Sequence, residues 1–128
     1  MPARPLLEAS MKRALVALSF LALPATALAD GKATFDSMCA SCHGPTGAGD
    51  GVAAAALNPK PANFTSAEVW KRIDETGYQG VKGDDYIKKV LKEGGAAVGR
   101  SAMMAPLGAS MTDDQINELI AYLRTLKK

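Results

Sequence analysis

Three observations predict an all-α fold of about four helices. Ile116, Leu119, Ile120, Leu123 and Leu126 recur at steps of three and four residues behind a helix-start sequence, strand signals are absent, and the segments between periodic runs are rich in Gly and Pro. A first helix is expected from about Lys32 through Cys39–His43, and a short one from Ser66 to about Glu75. Asp84 and Asp85 favour the start of a third, Ile87, Val90 and Leu91 form its apolar side, and Gly94-Gly95 stops it after Glu93. Asp84 with Lys88 and Asp85 with Lys89 are spaced for pairing along that helix. The last helix, from about Asp113 to Lys127, is the clearest. Thr112 and Gln115 make a capping box, Met111 and Ile116 occupy the staple positions, and Asp113, Asp114, Lys127 and Lys128 suit the two ends of the helix dipole.

The connections are equally legible. Gly44 to Gly51 holds four glycines in eight residues, and Asn58-Pro59-Lys60-Pro61 cannot continue a helix. The glycine-rich stretch is no phosphate loop, because it follows a helix instead of a strand and lacks the Lys-Ser/Thr ending.

The N-terminal segment reads as targeting sequence. From Met11 the chain runs through Lys12-Arg13, an apolar stretch from Ala14 to Leu23, and Pro24 to Ala29 ending in Ala27-Leu28-Ala29, which together form a secretory signal peptide. Cleavage is expected between Ala29 and Asp30, so residues 1–29 are extension plus leader and 30–128 form one domain. An apolar run of about ten residues is short for a bilayer, which disfavours an uncleaved anchor. Translation starting at Met11 would account for the extension Met1–Ser10 equally well. Of the 15 basic and 13 acidic residues, 12 of each lie beyond Ala29, and that balance argues against nucleic-acid binding.

The two cysteines and the single histidine fall within five residues, Cys39-Ala40-Ser41-Cys42-His43. This is C-x-x-C-H, the attachment signature of a c-type haem. Two thiols three residues apart can form thioethers with the two vinyl groups of one porphyrin, and the adjacent histidine then offers a ring nitrogen to the iron. A thioredoxin-like couple would need a strand-helix-strand context, a zinc site would need a fourth ligand, and a structural disulfide leaves His43 unexplained. For the second axial position the candidates beyond Ala29 are Met38, Met103, Met104 and Met111, a lysine such as Lys82, water, or nothing. Met38 adjoins the proximal element and Met111 is the staple, so the loop Gly99–Pro106 carrying Met103 and Met104 is the natural distal strap.

Gly31 and Phe35 stand eight and four residues before Cys39, Leu119-Ile120-Ala121-Tyr122-Leu123 lies in the last helix, and Met104-Ala105-Pro106-Leu107-Gly108 precedes Met111. On these residues nearly the whole chain beyond Ala29 resembles the class I cytochromes c. The resemblance implies a helical bundle wrapped around one covalently attached haem, with Cys39, Cys42, His43 and Met104 as its binding residues and His43 and Met104 on the iron. Met103 is the alternative ligand. It also implies a close crossing of first and last helices at Gly31, with Phe35, Leu119 and Tyr122 structural, and a proline carbonyl, of Pro59 or Pro61, accepting from His43. Trp70 would bond a haem propionate or simply pack in the core.

The implied role is a periplasmic one-electron carrier, monomeric, meeting redox partner proteins transiently at the haem edge, with no intrinsic catalysis, nucleic acid or membrane span. Lys88, Lys89 and Lys92 are candidates for a docking face or a solvated helix surface. The alternatives are a haem-containing subunit of a larger periplasmic oxidoreductase and an open-site haem enzyme or gas-binding protein.

Overall fold

The computed structural model describes residues 25–128. The basic and apolar parts of the expected signal peptide lie outside the described residues. Five helices follow one another: α1 (Ala25–Met38), α2 (Ala40–His43), α3 (Ala67–Lys71, running on into a π turn, Arg72–Thr76), α4 (Gly83–Glu93) and α5 (Asp113–Thr125). Short 3-10 turns fill three of the loops, and among the described residues the only β feature is an isolated bridge between Tyr78 and Val81.

Two expected boundaries move. The first helix begins at Ala25, well before Lys32, because Ala-Thr-Ala-Leu-Ala extends a helix readily, and α1 therefore runs through the expected cleavage point. It also breaks at Cys39, whose φ of −117° offsets α2 from α1, although Cys39 N–H still donates to Phe35 O and His43 N–H to Cys39 O. At the other end the expectation holds closely. Thr112 accepts from Gln115 N–H, the Gln115 side chain accepts from Thr112 N–H at 2.9 Å, and α5 starts at Asp113.

The frame of the molecule is the crossing of α1 and α5. A Cβ on Gly31 would sit 2.2 Å from Glu118 O and 3.0 Å from Tyr122 Cβ, so only a bare Cα lets the two backbones approach this closely. Phe35, one turn on, is fully buried and meets Tyr122 with ring centroids 5.5 Å apart. Leu119, Ile116, Ile120 and Leu123 of α5 complete that face, and Tyr86, Ile87 and Leu91 bring α4 onto the same core. Each of these large side chains contributes about 1.5–3 kcal/mol by leaving water.

The along-helix pairs expected on α4 do not form. Asp84 Oδ1 instead accepts from Arg124 of α5 at 2.7 and 3.1 Å, Lys89 pairs with Glu93 at 2.8 Å, and Lys92 bridges to Asp113 at 2.7 Å. Arg124 presents a planar fork that engages two carboxylates at once, which a flexible lysine cannot match. Lys92 and Asp113 also join the negative end of α4 to the positive end of α5.

Candidate functional site

The C-x-x-C-H motif lies at the junction of α1 and α2, and the long loop that follows folds back over it. Gly49 N–H donates to His43 O at 2.7 Å, Gly51 N–H to Cys42 O at 3.1 Å and Ala53 N–H to Ser41 O at 2.9 Å, so the loop satisfies the carbonyls that α2 leaves open. Cys39, Cys42 and His43 are partly buried and line one cavity of about 580 Å³. Burial, and then the neighbouring Cys42, push the Cys39 thiol up to about 11. Neither cysteine is in a disulfide. Among the described residues no cluster of three His, Cys, Asp or Glu side chains is arranged for a metal ion.

His43 is oriented by one backbone group. Its Nδ1 lies 3.0 Å from Ala62 O, so Nδ1–H donates there and Nε2 keeps its lone pair. The expected proline acceptor is thus corrected. Ala62 follows Pro61 directly, and Pro61 O is turned toward Gly49, where a Cβ would meet it at 2.7 Å. Burial lowers the His43 pKa, partly opposed by the Ala62 carbonyl, which keeps the imidazole neutral and fit to bind a metal. The Phe64 ring packs beside the imidazole, with centroids 4.9 Å apart.

The strap 99–106 supplies another wall. Gly95 N–H donates to Met104 O at 2.8 Å, Gly95 O accepts from Arg100 N–H at 2.8 Å, and Met104 N–H donates to Ser101 O at 3.2 Å, so the Met104 backbone is held on both sides. A Cβ on Gly95 would fall 2.3 Å from Ser101 O, a close approach that only glycine permits. Met104 is half-buried against the core, whereas Met103 is 73% exposed, although both reach the cavity. Met38 and Met103 line the cavity from exposed positions, while Met111 packs against the core and Lys82 precedes α4; neither of the latter two lines the cavity.

Trp70 takes the packing role. It is fully buried, and its Nε1–H donates to Phe64 O at 2.7 Å. Two groups that sequence reasoning missed are Arg72 and Arg100. Among the described residues these two and Lys60 are the lining side chains that carry full charge, all positive, and none of the lining residues is a carboxylate. Arg72 Nε is buried with no partner, and burial and then the Arg100 charge lower its pKa. A flat apolar group bearing carboxylates fits this lining. Isolated arginines far apart in sequence carry no motif that could have announced them, and Ala62 acts through a carbonyl that every residue possesses.

The cytochrome c family model matches residues 28–127, which span α1 to α5 and every group just described. The chain belongs to the cytochrome c family. It is 37% identical over 99 residues to cytochrome c-554(547) of Halothiobacillus neapolitanus, covering 77% of this chain and 96% of that protein. A chain of the Kuenenia stuttgartiensis reducing HAO-like protein complex shares the fold with a TM-score of 0.59 and 27% identity over 77% of this chain. This cytochrome spans only 41% of that longer chain. Membership makes it a carrier of covalent haem c and its function haem-based electron transfer. Among the described residues no helix is long and apolar enough to cross a membrane.

Proposed function

We propose that this cytochrome is an exported one-electron carrier that holds a single haem through Cys39 and Cys42, with His43 and Met104 as axial ligands. One observation carries the reading: a neutral imidazole oriented by Ala62 O and a half-buried methionine whose backbone is pinned by Gly95 and Ser101 line the same cavity. The bound haem supplies a one-electron Fe(II)/Fe(III) couple, raised in potential by a thioether relative to two imidazoles. The chain's part is to tether and ligate the haem, exclude water with Phe35, Ile87, Leu91 and Leu119, and meet the haem carboxylates with Arg72 and Arg100. Were His43 and Met104 both to hold the iron, the chain would leave it no open place for a small-molecule substrate. The expected leader would send the protein to the periplasm, where Lys88 and the exposed cavity rim would meet partner proteins transiently.

The test is the near-infrared absorption of the oxidised, exported protein. A weak methionine-to-ferric-iron band in wild type, kept in Met103→Ala and lost in Met104→Ala, is the expected result. Covalent haem without that band, together with carbon monoxide binding to the reduced protein, would replace this reading with an open-site haem protein.

A second reading has one observation in its favour. The structural relative belongs to a complex, and this cytochrome matches only part of that relative's chain, so a haem relay subunit of a larger oxidoreductase is the alternative. Purification under native conditions as a stable hetero-oligomer would favour it.

A further inference from the structure

The wall behind His43 is built as a series of contacts that ends at the surface of α5. Arg124 donates from Nη1 to Asp74 Oδ2 at 2.8 Å and from Nη2 and Nε to Asp84 Oδ1 at 2.7 and 3.1 Å, and its Nη2 also lies 2.8 Å from Asp74 Oδ1 as an ion pair. Held this way, its guanidinium lies over the Trp70 ring, 4.6 Å from the centroid. Trp70 in turn donates Nε1–H to Phe64 O, and the two rings stand 6.0 Å apart. Phe64 belongs to a short stiff strip in which Asn63 Oδ1 accepts from Thr65 N–H and Thr65 Oγ1–H at 2.9 and 2.6 Å, and Phe64 N–H donates to Gly47 O at 2.7 Å. That strip carries both groups that touch the imidazole, the Ala62 carbonyl and the Phe64 ring.

We infer that Trp70 and Arg124 are positioning residues for electron transfer, acting through the Ala62–Thr65 strip to hold the Ala62 carbonyl on His43 and so to set the reduction potential. The inference rests on the proposed His43 ligation. The physical link is the hydrogen bond itself: donation from Nδ1–H makes the imidazole a more basic ligand, which favours ferric iron and lowers the potential. An indole that must satisfy its one donor while fully buried fixes where Phe64 O can lie. A guanidinium clamped by two carboxylates fixes where that indole can lie. Loosening either group weakens the bond on His43 and raises the potential.

The alternative is that Arg124 merely clasps α5 to α4 and the π turn, and the sign of the effect separates the two. Loss of a positive charge near the haem, acting alone, favours ferric iron and lowers the potential. Trp70→Phe keeps the charge and most of the volume while removing the donor, and Arg124→Gln removes the charge and the fork. Both are examined as haem-loaded protein by equilibrium redox titration and by ¹H–¹⁵N NMR exchange of the His43 ring N–H in the ferrous state. The expected result is a raised potential in both variants, with the methionine band retained. The ring N–H should exchange about tenfold faster, the equivalent of about one ordinary hydrogen bond's net contribution. Arg124→Lys, which keeps charge without the fork, should show ring N–H exchange between that of wild type and that of Arg124→Gln. An unchanged potential in Trp70→Phe, or a lowered one in Arg124→Gln with unchanged exchange, overturns the inference even if both variants melt earlier. Should Trp70→Phe fail to load haem, the two Arg124 variants decide alone. A wild type without covalent haem or a protected His43 N–H overturns the ligation first, and that result is distinguishable because no variant is needed to see it.

Discussion

Replacing Gly31 by alanine tests the helix crossing that frames the cavity. The added methyl would stand 2.2 Å from Glu118 O, 2.7 Å from Glu118 C and 3.0 Å from Tyr122 Cβ, and the first two are backbone atoms of α5 that no rotamer change can move aside. Relief requires α1 and α5 to part by about 1 Å, and gaps of that size forfeit a quarter to a half of each dispersion contact they open. Phe35, Ile116 and Leu119, all at most 1% exposed, meet at this crossing. Overpacking of this kind costs about 1–3 kcal/mol, and the upper half of that range applies because the obstruction is main chain. Alanine's better helix propensity returns about 1 kcal/mol, leaving a net loss of roughly 1–2 kcal/mol. For a domain of this size that is a melting midpoint lowered by about 5–15 °C. Thermal and guanidinium unfolding of the haem-loaded protein, followed by far-ultraviolet circular dichroism, measures it. Ala33→Gly, an exposed position on the same helix, should also destabilise, by about 1 kcal/mol of propensity alone. A Gly31→Ala protein as stable as wild type, or more so, would refute the reasoning, since propensity would then be the only effect at work.

Thr112→Ala removes the side chain that accepts from Gln115 N–H and should cost about 1 kcal/mol by chemical denaturation, with fraying confined to the first turn of α5 in amide exchange. Asp74→Asn should destabilise by no more than about 1 kcal/mol at neutral pH, because the ion pair is a third exposed. Hydrogen bonding to Arg124 holds the Asp74 carboxyl below its ordinary value of 3.8, so the wild-type advantage is complete above that pH. It is lost as the pH falls through the lower folded value, and unfolding curves for the two proteins taken down the acid range should converge. Arg72→Gln or Arg100→Gln should lower the reduction potential by about 20–60 mV, since a positive charge beside the cavity favours ferrous iron and one-electron potentials move 59 mV per tenfold. A potential that holds in both variants would remove these arginines from the haem carboxylates.

How far the site could be read before its structure depended on how each part is encoded. Side chains whose chemistry is rare, grouped and locally spaced are visible in one dimension, as Cys39, Cys42 and His43 were. Glycines forced by a close approach are visible only where a pattern surrounds them. Gly31 had Phe35 and the last helix beside it, whereas Gly95, which pins Met104, looked only like the end of a helix. Neither the choice between Met103 and Met104 nor that between Pro59 and Pro61 could be made from spacing alone, and in the second case the acceptor is Ala62.

By itself the sequence determined the helical class, the position and capping of α5, the placing of α4 and the C-x-x-C-H chemistry, because periodicity, caps and motif spacing act between residues a few positions apart. Tertiary structure alone decided that Arg124 takes Asp84 away from Lys88, that Trp70 reaches Phe64 O, that Arg72 and Arg100 converge on the cavity, and that Met104 lies half-buried while Met103 faces out. Those contacts join residues through backbone carbonyls and long flexible side chains, whose partners depend on where the chain returns in space and not on what stands next to them.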